Sequence, residues 1–141
     1  MISTRINSGK FRGRTLLLPP QTITRAVSSK VRASIFNKLD VEGKRVLDLF
    51  AGGGTLGLEA ISNGAVEATF VDKSEKAVTV IKKNIKSLGL TTQVKVRKSE
   101  VLKFSDNLGL KYDVIFLDPP YKQFTNTLVK TTSNLLQLGC I

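Results

Sequence analysis

The sequence contains no histidine and only one cysteine, Cys140, among its 141 residues. The first absence removes the commonest general base and the commonest metal ligand. The second excludes an intrachain disulfide and leaves too few thiolates for a zinc site, so no metal is expected. No apolar run approaches the roughly 18 residues of a membrane-spanning helix. Residues 1–10 have no apolar stretch of signal-peptide type. A reducing, cytoplasmic setting without membrane association fits these absences. Acidic side chains are also few, 11 against 22 basic ones, for a formal net charge of +11.

What is present is unevenly spread. Residues 1–45 hold ten of the lysines and arginines against Asp40 and Glu42 alone, a net +8, and the rest of the chain carries only +3. A basic front end of this kind suits a polyanion, with nucleic acid the leading candidate over a merely solvated surface. Apolar residues at 41% and charged residues at 23% are an ordinary globular balance, and the length suits one core.

Two stretches differ in character. Residues 1–27 read as a basic arm or hairpin, interrupted by Gly9 and Gly13, with β character over residues 14–18 and with Pro19-Pro20 beyond. Residues 28–141 read as an α/β domain. A helix is expected over residues 28–39, capped by Ser28 or Ser29, with Val31, Ile35 and Leu39 on one face. Strands at 45–50, 68–71, 93–97 and 112–117 alternate with helices at 55–62, 74–88 and 123–136, and residues 139–141 resemble the entry to another strand. Ala77, Val78, Ile81, Ile85 and Leu88 form the apolar stripe of the second of these helices. Strands separated by helices imply parallel pairing, hence a doubly wound sheet.

The strand at 45–50 runs into Gly52-Gly53-Gly54-Thr55-Leu56-Gly57, and Asp72 ends the next strand. Glycines between a strand and a helix let the backbone approach a ligand, and an acid ending the second strand can accept hydrogen bonds from ribose hydroxyls. The run literally satisfies G-x-G-x-x-G, so it marks a nucleoside cofactor without choosing among them. Asp48, an acid inside a buried strand, needs a partner to be tolerated there.

Strand 112–117 leads into Asp118-Pro119-Pro120-Tyr121. Two prolines stiffen the turn and remove two amide donors, leaving a carboxylate, a carbonyl and an aromatic ring on a rigid platform. Exocyclic base amines are poor nucleophiles because their lone pair is delocalised into the ring. A carboxylate and a carbonyl gripping the two N–H hydrogens, with the Tyr121 ring stacked on the base, would expose that lone pair to a methyl donor. Such chemistry is mostly positioning, so it needs no histidine.

These motifs together resemble the bacterial small-subunit ribosomal RNA guanine-N2 methyltransferase family. The resemblance runs through Gly9-Lys10-Phe11-Arg12-Gly13-Arg14, Thr24-Arg25, Lys30-Val31-Arg32 with Ile35-Phe36-Asn37, residues 48–59 (DLFAGGGTLGLE), Phe70-Val71-Asp72-Lys73 and Phe116-Leu117-Asp118-Pro119-Pro120-Tyr121. It implies a Rossmann-like fold that binds S-adenosyl-L-methionine through Asp48, Phe50, Ala51, Gly52, Gly54, Asp72 and Lys73, with Glu100 beside the adenine or simply capping a helix. It implies catalysis by Asp118, Pro119, Pro120 and Tyr121. It also implies ribosomal RNA, free or in an assembling small subunit, engaged through Lys10, Arg12, Arg14, Arg25 and Arg32 by a monomer.

Two departures stand out. Arg25-Ala26-Val27-Ser28-Ser29 lacks the Pro and Asp usual in that loop, and the chain reaches Leu138-Gly139-Cys140-Ile141 where the family continues with two more strands and a helix. A C-terminally incomplete sheet of about five strands is therefore expected. Adenine-N6 methylation of DNA or RNA, a nicotinamide-dependent oxidoreductase and a non-catalytic RNA-binding module remain as alternatives.

Overall fold

The computed structural model describes residues 2–20, 28–104 and 112–118. Its centre is built from short apolar runs that are buried on both faces, the pattern of inner strands in a parallel sheet. β3 (Arg45–Leu49) and β4 (Glu67–Asp72) are of this kind, each buried over four consecutive residues. β5 (Val94–Lys98) alternates valines with Lys95 and Arg97 and is exposed at its end, as suits an edge strand guarded by charge. β6 (Val114–Leu117) pairs with β3 on the other side. The order is β5-β4-β3-β6, all parallel. Strand order thus reverses at β3, as in a doubly wound sheet, and the crevice at such a reversal is where these folds receive ligands.

The helices follow the expected positions closely. α2 (Thr55–Ser62) connects β3 to β4, and α3 (Glu75–Ser87) connects β4 to β5. The Ser74 hydroxyl caps α3 by accepting from the Ala77 N–H, and Ser28 does the same for α1 (Ser29–Lys38) through the Val31 N–H. Residues of all three helices join Val46, Ala68, Phe70, Val114 and Phe116 in one core on a single face of the sheet. The opposite face carries Leu47, Leu49 and Val71 with Val101 and Tyr112. Among the described residues no helix is long and apolar enough to cross a membrane.

The front of the chain is a docked hairpin. β1 (Ser3–Arg5) and β2 (Thr15–Leu17) pair antiparallel, and Ile6, Leu16 and Leu18 are buried. This hairpin lies over α2, every residue of which is buried. The face of α1 agrees with the expected one only in part, Ile35 and Leu39 packing against the core. Val31 is half exposed, while Arg32 is fully enclosed and Phe36 packs against Phe116 with ring centroids 5.7 Å apart. The four-residue spacing thus holds for Ile35 and Leu39 and fails at Val31, whose neighbour Arg32 is buried in an ion pair with Glu59 instead. The expected helix at 123–136 and the strand entry at 139–141 lie outside the described residues.

Candidate cofactor and substrate site

β3 delivers Asp48, 2% exposed, directly beneath the glycine turn. Its Oδ2 accepts the Gly57 N–H at 3.0 Å, tying the first turn of α2 to the strand. Burial pushes this carboxyl up to about 8; the Gly57 N–H opposes the shift, and the charges of Asp72 and Asp118 add to it. Among the described residues no cation offsets this shift, and the carboxyl favours its neutral form.

The turn itself is contorted. Phe50 has φ 57°, a left-handed conformation unusual outside glycine, and Gly52 and Gly54 follow at 58° and 79°. The Gly54 N–H closes on the Ala51 carbonyl at 2.8 Å, and the Ala51 N–H reaches the Val71 carbonyl of β4 at 3.1 Å. Gly57 is required for packing, since a Cβ there would run into the Phe70 ring.

Asp72 closes the other side. Its Oδ2 accepts the Gly52 N–H at 2.9 Å and its Oδ1 the Ser74 N–H at 2.8 Å, so one carboxylate orders both turns. Each oxygen retains acceptor capacity for a further donor. The β3–β6 register pairs Leu49 with Leu117, which brings the exposed Asp118 to the same carboxyl edge, one residue past the pairing. Asp48, Phe50, Ala51, Gly52, Gly54, Asp72 and Asp118 thus converge on one edge where the strand order reverses. Lys73 is exposed just beyond β4. Glu100 stands past β5, exposed, with its Oε2 3.5 Å from the Lys103 ammonium and no capping hydrogen bond from its side chain. Pro119, Pro120 and Tyr121 lie outside the described residues, as does Arg25.

The basic residues separate into different roles. Lys10 lies 5.4 Å from the Phe11 ring centroid, and Arg12 is exposed. Arg14, also exposed, donates from Nη2 to the Ser87 carbonyl at 2.6 Å, a favourable place for a cation at the end of α3.

Arg32 corrects the sequence reading. It is fully buried, with Nε 2.9 Å from Glu59 Oε1 and Nη2 donating to the Arg5 carbonyl at 2.7 Å, so it cannot meet a phosphate. Glu59 also accepts the Asn7 and Ser8 N–H groups at 3.0 Å each, and Ser62 Oγ accepts the Phe11 N–H at 2.9 Å. Arg32 is therefore part of the anchor that seats the basic hairpin on α2.

Glu59, Ser62 and Asn84 were not singled out by sequence reasoning. Asn84 leaves a trace there, being a polar residue on the apolar stripe of α3 between Ile81 and Leu88. Glu59 leaves less, because a lone acid in a short helix normally faces water.

The chain matches the family model described as "Conserved hypothetical protein 95" over residues 4–141. Among curated proteins it is 41% identical over 124 residues to YlbH of Bacillus subtilis (strain 168), a candidate rRNA methyltransferase, covering 84% of this chain and 67% of that one. It is 36% identical over 134 residues to Ribosomal RNA small subunit methyltransferase D of Buchnera aphidicola subsp. Acyrthosiphon pisum, covering 94% and 69%. Among solved structures, a hypothetical protein of Thermus thermophilus superposes with a TM-score of 0.81 at 33% identity, over 95% of this chain and 80% of that one. The chain therefore spans about two thirds of the length of these curated relatives. By the reach of that family match and by these identities, the chain belongs to the Conserved hypothetical protein 95 family, among whose relatives stand ribosomal RNA methyltransferases.

Proposed function

We propose that this protein transfers a methyl group from S-adenosyl-L-methionine to the exocyclic N2 amine of a guanine in small-subunit ribosomal RNA. One observation carries the reading: Asp48, Asp72 and Asp118 gather around a contorted glycine turn at the carboxyl edge of β3, β4 and β6. Asp48 is the test of fit. Its carboxyl is held neutral by burial and by two like charges, which is the environment a cation would relieve. S-adenosyl-L-methionine carries cationic ammonium and sulfonium groups, and its sulfonium supplies an activated methyl when bound. Asp72 would accept from the ribose hydroxyls while still ordering Gly52 and Ser74.

Asp118 would hold the target amine. It stands exposed at the same edge, free to accept an N–H hydrogen and orient the nitrogen. Asp118 would turn the nitrogen toward the methyl group that the bound cofactor supplies, and the proton the nitrogen sheds on methylation would pass to that carboxylate or to water. The hairpin brings Lys10 and Arg12 to the surface beside α2, where they would engage phosphates.

The competing nicotinamide reading rests on the literal glycine spacing, and the packing of Gly57 against Phe70 is equally what that spacing asks of its last glycine. Calorimetric titration separates the two readings. S-adenosylhomocysteine should bind and NAD should not; NAD binding alone would turn the site into that of an oxidoreductase.

A further inference from the structure

Asn84 lies late in α3, 1% exposed, on the stripe that otherwise packs apolar groups. A buried amide is tolerated there only if its hydrogen bonds are made. Its Oδ1 accepts the Leu17 N–H at 2.8 Å, and its Nδ2 donates to the Leu17 carbonyl at 2.9 Å and to the Gly53 carbonyl at 3.0 Å. The Leu18 N–H is spent on Ile2 of the opposing arm, so antiparallel alternation turns the Leu17 amide groups to the opposite edge of the hairpin. Asn84 meets both of them, standing in for a third strand.

The remaining bond lands in the middle of the glycine turn. There the hairpin also makes contact, since a Cβ on Gly53 would lie 3.1 Å from the Leu17 carbonyl oxygen and 3.2 Å from Leu18 Cδ2 and Pro19 Cδ. The left-handed angle at Phe50, strained for a residue with a Cβ, persists only if its surroundings over-determine it. The Gly54 cap of α2 offers no side chain to do so.

We propose that Asn84 is a positioning residue for the cofactor turn: by binding Leu17 and Gly53 together it clamps β2 against the outside of the turn and holds it in its ligand-ready shape. The hairpin then buttresses the cofactor turn as well as carrying basic side chains. This inference rests on the turn being the S-adenosyl-L-methionine site.

The test is calorimetric titration of S-adenosylhomocysteine into the full chain and its Asn84→Asp variant. Aspartate keeps the size and the acceptor for Leu17 but turns an oxygen toward two carbonyls. The dissociation constant should rise about tenfold, as the loss of the one buried hydrogen bond that reaches the turn, to Gly53, allows. Asn84→Ala carries the same expectation if the aspartate variant does not fold. Ile85→Ala, in the neighbouring core position, has no polar group to lose. It should lower the unfolding midpoint and leave the dissociation constant unchanged. A folded Asn84 variant with the parent's affinity overturns the proposal. So does an equal loss of affinity in Ile85→Ala, which would reduce the effect to general stability. A parent chain that fails to bind S-adenosylhomocysteine overturns the cofactor reading first and this inference with it, and that result appears before any variant is compared.

Discussion

Replacing Glu59 with glutamine probes how the basic hairpin is held. The carboxylate is fully enclosed and accepts from Arg32 Nε at 2.9 Å and from Asn7 N, Ser8 N and Ser8 Oγ at 3.0 Å each. Glutamine keeps the shape and one acceptor oxygen, but it places an amide donor among donors and removes the charge. Arg32 is left with the Arg5 carbonyl at 2.7 Å and Thr4 Oγ1 at 3.3 Å, and its Nη1 has no partner among the described residues. Neither remaining partner carries a charge to balance the guanidinium.

Breaking a buried ion pair from one side costs about 3–5 kcal/mol. Against a typical domain stability of about 5–15 kcal/mol, the variant should be near the limit of folding. Urea unfolding followed by far-ultraviolet circular dichroism measures the loss. Arg32→Lys should cost nearly as much, because an ammonium cannot reach Glu59 and the Arg5 carbonyl in one rigid fork. A Glu59→Gln variant within about 1 kcal/mol of the parent would refute this reasoning and leave apolar contacts as the hairpin's anchor.

Two other perturbations address the carboxyl beneath the turn and the basic surface. Asp48 binds its proton more tightly when folded, its pKa raised to about 8, so the native state holds more protons between roughly pH 4 and 8 and stability falls as pH rises through that window. The slope from this one group approaches about 1.4 kcal/mol per pH unit, and Asp48→Asn should flatten it in cofactor-free protein; an unchanged slope in pH-dependent urea melts contradicts the assignment. Neutralising Lys10 and Arg12 together should reduce the salt slope of RNA binding by about 1–2 units, while Arg32→Lys, once folded, should leave it unchanged; fluorescence anisotropy across a salt series reads both.

Much of the fold was legible because its elements obey local rules. The strand at β3 and the helix at α2 emerge where an apolar run meets a glycine turn. Ser28 and Ser74 cap helices for the reason their residue type suggests. The glycine turn between strand and helix and the acid ending β4 were legible, although the sequence did not show that Asp72 accepts from Gly52 and Ser74 within the protein itself. What stayed hidden depends on partners distant along the chain. Arg32 resembled a surface cation because its counter-charge is 27 residues away and its carbonyl partner is in the hairpin. Asn84 resembled a flaw in an apolar stripe because the groups it satisfies lie 67 and 31 residues back. Long-range pairing of buried polar groups leaves at most a break in local periodicity, which does not name the partner.

Single-turnover transfer of a labelled methyl group from S-adenosyl-L-methionine to small-subunit ribosomal RNA tests the central claim most directly, with the parent chain beside Asp118→Ala. The parent should deposit label on a guanine N2 amine. Asp118→Ala should transfer about 10²–10³ times more slowly, a few kcal/mol of lost transition-state stabilisation from one positioned acceptor. Its affinity for S-adenosylhomocysteine should match the parent's, because this carboxylate grips the amine and not the cofactor. A variant that transfers at the parent rate, or a parent that binds cofactor and RNA yet labels no base amine, would contradict the account.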